Sequence, residues 1–531
     1  MTFMTIRKQL DSIVEKRLLV LDGAMGSMIQ TLNLNEDDFR GGAFAGHPKP
    51  LKGCNDLLCL TKPEAIGAIH DAYLKTGADI IETCSFNATE VSLSDYGLGA
   101  YAYEISAAAA KIARASAAKF SVPEKPRFVA GSIGPTAKGA SLYPDINDPG
   151  KRAIGWDELE AAFYDNARGL LDGGADILLV ETVFDTLNAK AALCAIDRLL
   201  EERRADVPVM ISATVSGESG RLLSGQTLEA FCVSVLHANP WSIGLNCSFG
   251  AEKLLPHIRL LADIASCAIS AHPNAGFPNR QGVYEETPEC MAAHIETYLK
   301  EGLVNIIGGC CGTTPAHIAA IAEKAASHKP RSVPNISHSG RFAGFESLAV
   351  SENIVNIINN KECLSLALEG EFEDAVDEAR DIVDAGAAIL DVAIDDKDTL
   401  NKFLDYVLFD PYIAKVPFMI NSQCWDTLES GLKRLQGRGL AKAINLKDGD
   451  EAFVRRARLI RRYGAAPVVT LIDERGEAAT DERHIEIAER VCRLLRNKGY
   501  PIEGIVFAPA PPIENFCAWL KENYPGVLLV R

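Results

Sequence analysis

Short apolar, β-branched runs alternate with Ala-rich amphipathic stretches along the first 330 residues. The runs Leu18–Leu21, Ile80–Thr83, Phe128–Ser132, Ile177–Glu181, Val209–Thr214, Ile243–Asn246, Ala268–Ala271 and Val304–Gly308 predict eight strands. The intervening stretches read as helices. PEAIGAIHDAYLKTGAD opens with Pro63 in its first turn and stops at Gly77. KTGADIIET, DGGADILLVET and KEGLVNIIGG repeat one phrase: a helix end, a Gly stop and a buried parallel strand. Eight such units in about 310 residues predict an α/β fold of the (β/α)8 TIM-barrel type. A doubly wound open sheet is the alternative. Polar residues follow nearly every strand, which is what a barrel mouth requires.

SHKPRSVPNISHSGRFAGFESL (327–348), rich in Pro, Ser and Gly, reads as a linker between a first domain, 1–326, and a second, 349–531. The second domain repeats the alternation with seven strands: Ile354–Ile358, Ala388–Ile394, Phe418–Asn421, Lys442–Leu446, Val468–Ile472, Ile505–Ala508 and Val527–Val530. About 185 residues is short for a full barrel. The expectation is an incomplete or reduced β/α barrel, with the sequence given reaching Arg531 at the end of the seventh strand.

Composition narrows the function classes. The chain has 531 residues, 47% hydrophobic and 24% charged, which is ordinary globular usage. Its formal charge is −17, with 54 Lys and Arg against 71 Asp and Glu, so it lacks the basic excess that binds a nucleic-acid backbone. No apolar stretch is long enough for a membrane span. Asp11, Glu15 and Lys16 fall where a signal peptide would be apolar, so a cytoplasmic location is expected. Fourteen cysteines in a reducing compartment are then free thiols or metal ligands.

The densest chemical signal is Gly308-Gly309-Cys310-Cys311-Gly312-Thr313-Thr314-Pro315, after the eighth strand. Neighbouring residues on a straight strand face opposite ways, but a Gly-rich turn can bring both sulfurs together. Cys247 ends the sixth strand. Three cysteines at strand C-termini are either a three-thiolate zinc site with one open position or small buried residues beside a tight turn. An open zinc position suits a substrate thiol, whose pKa the metal lowers for attack on an alkyl donor. Asp22 after the first strand and Glu181 at the fourth are candidates for a substrate ammonium group. Backbone N–H groups near Gly23 or Gly134 are candidates for a carboxylate. Glu82, Asn87, Asn246 and His272-Pro273-Asn274 add polar groups to the same rim. Each alone also reads as a cap or turn residue. GLGAYA (97–102) does not follow a strand and is no dinucleotide fingerprint.

LDGAMGSMIQ (21–30), NDLLCLTKPE (55–64), ADIIETCSFNAT (78–89), ETVFDTLNAK (181–190), GQTLEAF (225–231), GLNCSFG (244–250), AHPNAGFPN (271–279) and IIGGCCGTTPAHI (306–318) carry a family likeness. Residues 1–325 resemble the homocysteine-binding module of cobalamin-dependent methionine synthases, within the wider homocysteine methyltransferase family. The resemblance implies a zinc-dependent homocysteine S-methyltransferase forming methionine, with Cys247, Cys310 and Cys311 as metal ligands and catalytic centre. It places Asp22 and Glu181 near the amino-acid end of homocysteine; Gly23 and Asn246 are further candidate substrate contacts. Ala24 and Cys84 stand where the motifs more usually have Gly and Asn.

ILDVAID, VPFMINSQCWD, LKRLQGRGLAKAIN and ARLIRRYGAAPVV resemble the methyltetrahydrofolate-binding barrel of the same enzymes. Here the departures weigh more. Ile357-Ile358-Asn359-Asn360-Lys361 replaces an expected Gly-Glu-Arg-Thr-Asn. Asp391 remains, but Ala393 replaces an Asn, Asn421 an Asp and Lys442 an Asn. Phe507-Ala508-Pro509-Ala510 replaces Phe-Asp-Pro-Asn. Lost pterin hydrogen bonds cost about 1–3 kcal/mol per unpaired group, so eroded methyltetrahydrofolate binding and a structural or docking role are expected. None of the ten histidines has Asp two residues before it, as a corrinoid-binding loop would. The resemblance therefore implies methylcobalamin supplied by a partner protein or separate module. A corrinoid-independent relative using betaine or S-methylmethionine, and a non-catalytic zinc-binding scaffold, are the alternatives.

Overall fold

The computed structural model describes residues 5–145, 147–217, 219–282, 284–350, 354–355, 360–511 and 513–530. The chain forms two compact units. One comprises Met1–Gly139, Asp157–Leu223 and Asn239–Ile336; the other comprises Ala140–Trp156, Ser224–Ala238 and Ser337–Arg531. Two segments from within the first β/α series thus group with the second unit.

The first unit contains eight parallel strands: β1 (Leu19–Val20), β2 (Ile80–Glu82), β3 (Phe128–Ile133), β4 (Ile177–Val183), β5 (Val209–Ala213), β6 (Ser242–Gly250), β7 (Ala268–Asn274) and β8 (Ile306–Ile307). They are ordered β1-β8-β7-β6-β5-β4-β3-β2. A parallel bridge from Leu21 to Ile80 joins the two ends, so the sheet is a near-closed barrel. β3 and β7 are buried along their whole length, as expected for strands covered on both faces. The helix Pro63–Lys75 starts on its proline and is stopped by Gly77 in the left-handed region, as its sequence predicts.

The two-residue period of the strands sorts the interior into layers. Leu10 and Val14 of the helix Ile6–Val14 pack with Leu19, Ile80, Phe128, Ile177, Met210 and Ile306 at the start of the strands. The Trp241 indole donates to Asp11 at 2.9 Å and ties that helix in place. One or two steps further along the same faces the residues turn polar: Glu82 above Ile80, Ser132 above Ala130, Glu181 above Leu179, and Ser212 above Met210. The mouth is therefore hydrophilic over an apolar floor.

The second unit holds seven parallel strands: β9 (Ile354–Val355), β10 (Leu390–Ala393), β11 (Phe418–Asn421), β12 (Leu440–Ile444), β13 (Ala466–Thr470), β14 (Val506–Ala508) and β15 (Leu528–Val530). Their order, β9-β15-β14-β13-β12-β11-β10, makes a half-barrel. The expected first strand extends to Ile358, and its residues 356–358 lie outside the described residues. The stretch read as a linker is partly ordered into an antiparallel hairpin, Arg341–Ala343 with Ser347–Ala349. Phe342 is buried in the second core with Ile389, Met419 and Leu528, which gives this Pro- and Ser-rich stretch a reason to order. Arg331 is buried as well, and its guanidinium donates to the carbonyls of Ala262, Ala265 and Cys267. No helix among the described residues is long and apolar enough to cross a membrane.

Gly244 on β6 pairs with Ser270 on β7; an added Cβ would run into the Ser270 hydroxyl and the Ser270 backbone carbonyl. A backbone carbonyl cannot swing aside as a side-chain tip can. Gly244→Ala is expected to lower stability by about 1–3 kcal/mol in urea unfolding, while a Gly302→Ala control, with nothing near its Cβ but a positive φ, suffers only the smaller backbone strain.

Candidate functional site

Three sulfurs meet at the mouth of the first barrel. Cys247 lies near the end of β6, and Cys310 and Cys311 follow β8, with β7 between them. In the register of β6 and β7, Cys247 sits beside Pro273. The Pro273 carbonyl accepts from the Cys310 N–H at 2.8 Å. One residue of the central strand therefore fixes both flanking cysteine segments.

Local backbone departures aim the side chains. The β6–β7 register shifts between Cys247 and Gly250, and both Cys247 and Ser248 adopt positive φ, 57° and 59°. Left-handed backbone at two successive non-glycine residues is strained, and strain of this kind concentrates at functional sites. Ser248 is held by Thr214 and by the Val215 N–H, each at 2.8 Å. The Cys310–Cys311 turn is pinned on several sides. Gly309 N–H donates to the Asp22 carbonyl at 3.1 Å, Ala275 N–H to the Cys311 carbonyl at 3.0 Å, and Gly312 N–H to the Ser27 hydroxyl at 2.9 Å. Gly312 has φ +80°, and the Tyr284 ring occupies the place of a Cβ, so only glycine fits.

The ligand atoms of Cys247, Cys310 and Cys311 all lie within 4.8 Å of one another, and the Cys247 and Cys311 sulfurs are 3.9 Å apart. Tetrahedral zinc with Zn–S bonds of about 2.3 Å separates sulfurs by about 3.8 Å. The donor set therefore fits zinc in type and spacing. The cysteines are half-buried, leaving an approach from the mouth. Hydrogen bonds from the Cys310 and Cys311 thiols pull Cys247 down to about 3. Donating to Cys247 pushes Cys310 up, and Cys311 up to about 11. The Tyr284 hydroxyl is pushed up, first by burial and then by the charge at Cys311, with which it is hydrogen-bonded.

Beside the sulfurs lies a group of buried carboxylates. Both oxygens of Asp22 accept from the Glu82 N–H at 3.2 Å. The Ser132 hydroxyl donates to Glu181. Burial pushes Asp22 well above the carboxylate range, and the nearby Glu181 adds to this. Burial, then Glu181 and Asp22, does the same to Glu82. Burial raises Glu181 to about 7. Among the described residues, no cationic side chain offsets this group of buried acids. His272 lies 3.9 Å from Glu82 but is held neutral, burial lowering it to about 3.

Gly23 packs against Thr313 and the Tyr73 ring. The Thr313 hydroxyl accepts from the Ala24 N–H at 3.1 Å, and the Tyr73 hydroxyl donates to the Ala24 carbonyl at 3.1 Å. Asn246 is fully buried. Its carbonyl accepts from the Thr182 N–H at 3.0 Å and the Ser212 hydroxyl at 2.7 Å, while its amide donates to the Thr182 hydroxyl at 2.7 Å and faces the Cys310 sulfur at 3.9 Å. Thr182 has φ 55°, so Asn246 braces a left-handed residue next to Glu181. Asp22, Gly23, Glu181, Asn246 and the three cysteines accordingly lie on one rim. Glu82, read from the sequence only as a polar group of the rim, joins them, and so does Tyr284, which the sequence does not mark. For Glu82 the signal was present, a carboxylate at a strand end; Tyr284 comes from a long loop with no periodic pattern.

In the second unit, Asp391 on β10 meets Asn421 on β11 at 3.4 Å. Burial raises Asp391, and the Lys442 ammonium on β12 opposes the rise. One Asp391 oxygen has no hydrogen-bond partner among the described residues.

Two family models match the chain. Residues 19–325 match the family model of homocysteine S-methyltransferases, and residues 352–510 match that of pterin binding enzymes. Among solved structures, the metallated form of the homocysteine methyltransferase MmuM from Escherichia coli is 23% identical, over 60% of this chain and 99% of that one, with a TM-score of 0.47. A B12-independent methionine synthase from Shewanella sp. W3-18-1, in complex with selenomethionine, is 16% identical over 52% of this chain and 90% of that one, with a TM-score of 0.31. The first match spans more than half of the 531 residues, and the chain belongs to the homocysteine S-methyltransferase family.

Proposed function

We propose that this protein transfers a methyl group to the sulfur of homocysteine, forming methionine, at the mouth of its first domain, residues 1–326. The convergence of Cys247, Cys310 and Cys311 at zinc-like spacing carries the reading. These three residues would hold zinc, which supplies a Lewis acid that keeps a substrate thiol deprotonated at neutral pH. The remaining work falls to the chain. Asp22, Glu82 and Glu181 are buried acids held toward their protonated forms, and a substrate ammonium group would stabilise their carboxylates. Ser132 orients Glu181, and Asn246 braces the backbone beside it. Binding the amino-acid end there positions the sulfur end at the cysteines and leaves the open mouth to the methyl donor.

The donor in this reading is methylcobalamin carried by a partner protein or separate module. The order of a homocysteine domain followed by a pterin-binding-like half-barrel supports it. The second domain, 349–531, acts as a structural or docking element in the same reading. Lys442 already balances Asp391, and Ala393 and Ala508 offer no side-chain hydrogen bonds to a pterin ring.

Cys310→Ala is expected to lose bound zinc and to lower methionine formation more than about 100-fold, measured by metal analysis and product assay; retained turnover would refute the site. Glu181→Gln should raise the homocysteine KM about 10- to 100-fold with a smaller change in kcat. Glu181 also predicts a pH effect. Its folded value of about 7 stands above the ordinary 4.5, so the folded state holds the proton more tightly. The metal-free protein should therefore lose stability as pH rises from about 4.5 to about 7, and Glu181→Gln should flatten that slope in denaturant titrations. Donor assays with methylcobalamin, betaine and S-methylmethionine complete the test: turnover with methylcobalamin alone supports the reading, and turnover with either of the others overturns the donor assignment.

A further inference from the structure

Glu286, Cys290 and His294 lie outside the sulfur triad, at and just before the start of the helix Pro288–Lys300. Their spacing is Glu-x3-Cys-x3-His. Residues four apart on a helix share a face, so Cys290 and His294 are neighbours, and Glu286 reaches the same face from the preceding loop. One ligand atom from each lies within 4.8 Å of the other two. His294 Nδ1 meets Glu286 Oε1 at 2.9 Å. The other Glu286 oxygen is buried and makes no hydrogen bond of normal geometry to a described residue, with the Cys290 thiol beside the carboxylate.

A carboxylate–imidazole pair accounts for two of these groups, but leaves one Glu286 oxygen buried without such a bond and the Cys290 thiol within 4.8 Å of the pair. We infer that Glu286, Cys290 and His294 form a second site for a divalent cation of the zinc class. Sulfur, imidazole and carboxylate in one cluster match the ligands that such an ion takes, and the exposed side of Cys290 leaves room for water in a fourth position. Binding would put the cation between Glu286 and His294, releasing the Cys290 proton to solvent. The loop is already organised for this. Thr314 N–H donates to His317 Nδ1 at 3.2 Å, so Nε2 carries the ring proton and donates to the Glu286 carbonyl at 2.9 Å. The exposed thiol makes this the more exchangeable of the two sites.

The test separates the sites by their sulfurs. The full chain carrying Cys310→Ala and Cys311→Ala is titrated with Co2+, and the sulfur-to-cobalt absorption band is followed. One equivalent with a thiolate band, abolished by adding Cys290→Ser, is expected. No thiolate band, or a band that survives Cys290→Ser, overturns the proposal. The wild-type chain gives a second reading that does not depend on those substitutions. Saturating Zn2+ should slow maleimide labelling of Cys290 at least about tenfold, read by peptide mass, because a metal-held sulfur is a poor nucleophile toward the reagent. Labelling at an unchanged rate overturns the proposal. The outcome is independent of whether the sulfur triad performs methyl transfer.

Discussion

The Pro273 carbonyl is the hinge of the candidate site. β7 separates β6 from β8, so Cys247 and Cys310 are never on adjacent strands, yet Pro273 lies in register with one and accepts the backbone hydrogen bond of the other. Proline has no N–H to offer a ladder but keeps its carbonyl, which suits a position where pairing passes from one neighbour to another. The residues around it follow from this crossing. β6 shifts register beyond Cys247, the chain turns left-handed at Cys247 and Ser248, and the sulfur is re-aimed from the strand's ordinary alternation into the mouth.

The carboxylates beside the sulfurs express an opposite constraint. A buried acid needs a cation or several hydrogen-bond donors. Asp22 has the Glu82 N–H and Glu181 has the Ser132 hydroxyl, which is less than three neighbouring charges require, and burial drives all three groups upward. Such an arrangement costs the empty protein stability and favours a ligand that brings positive charge. The rim thus sets a soft sulfur donor set beside a group of buried carboxyl oxygens.

The half-barrel of the second unit separates the demands of its core from those of its strand ends. Its core, built from Val355, Met419, Leu440, Val468, Val506 and Leu528, needs only apolar residues at the right period. The positions at the strand ends are free of that demand. Asp391 stands there, facing Asn421, and the charge of Lys442 offsets part of the effect of its burial. The match to pterin binding enzymes over residues 352–510 spans most of these strands.

Both strand series were legible in the chain because a buried parallel strand is a short apolar run and its helix a longer amphipathic one, and both signals are local. The rim was legible for the same reason: Asp22, Glu181, Cys247 and Cys310 each end a recognisable strand. The hairpin Arg341–Ala349 was hidden, since Phe342 is buried largely against residues distant in the chain, such as Ile389 and Met419. Tyr284 was hidden likewise, because its loop has no period and its place against Gly312 is a tertiary contact. The grouping of 140–156 and 224–238 with the second unit was beyond any local signal. Sequence alone determined which residues lie at strand ends, since hydrophobic periodicity is written residue by residue. Only the tertiary structure decided which of those ends meet and which way they point, because strand order, register shifts and left-handed backbone depend on partners distant in the chain.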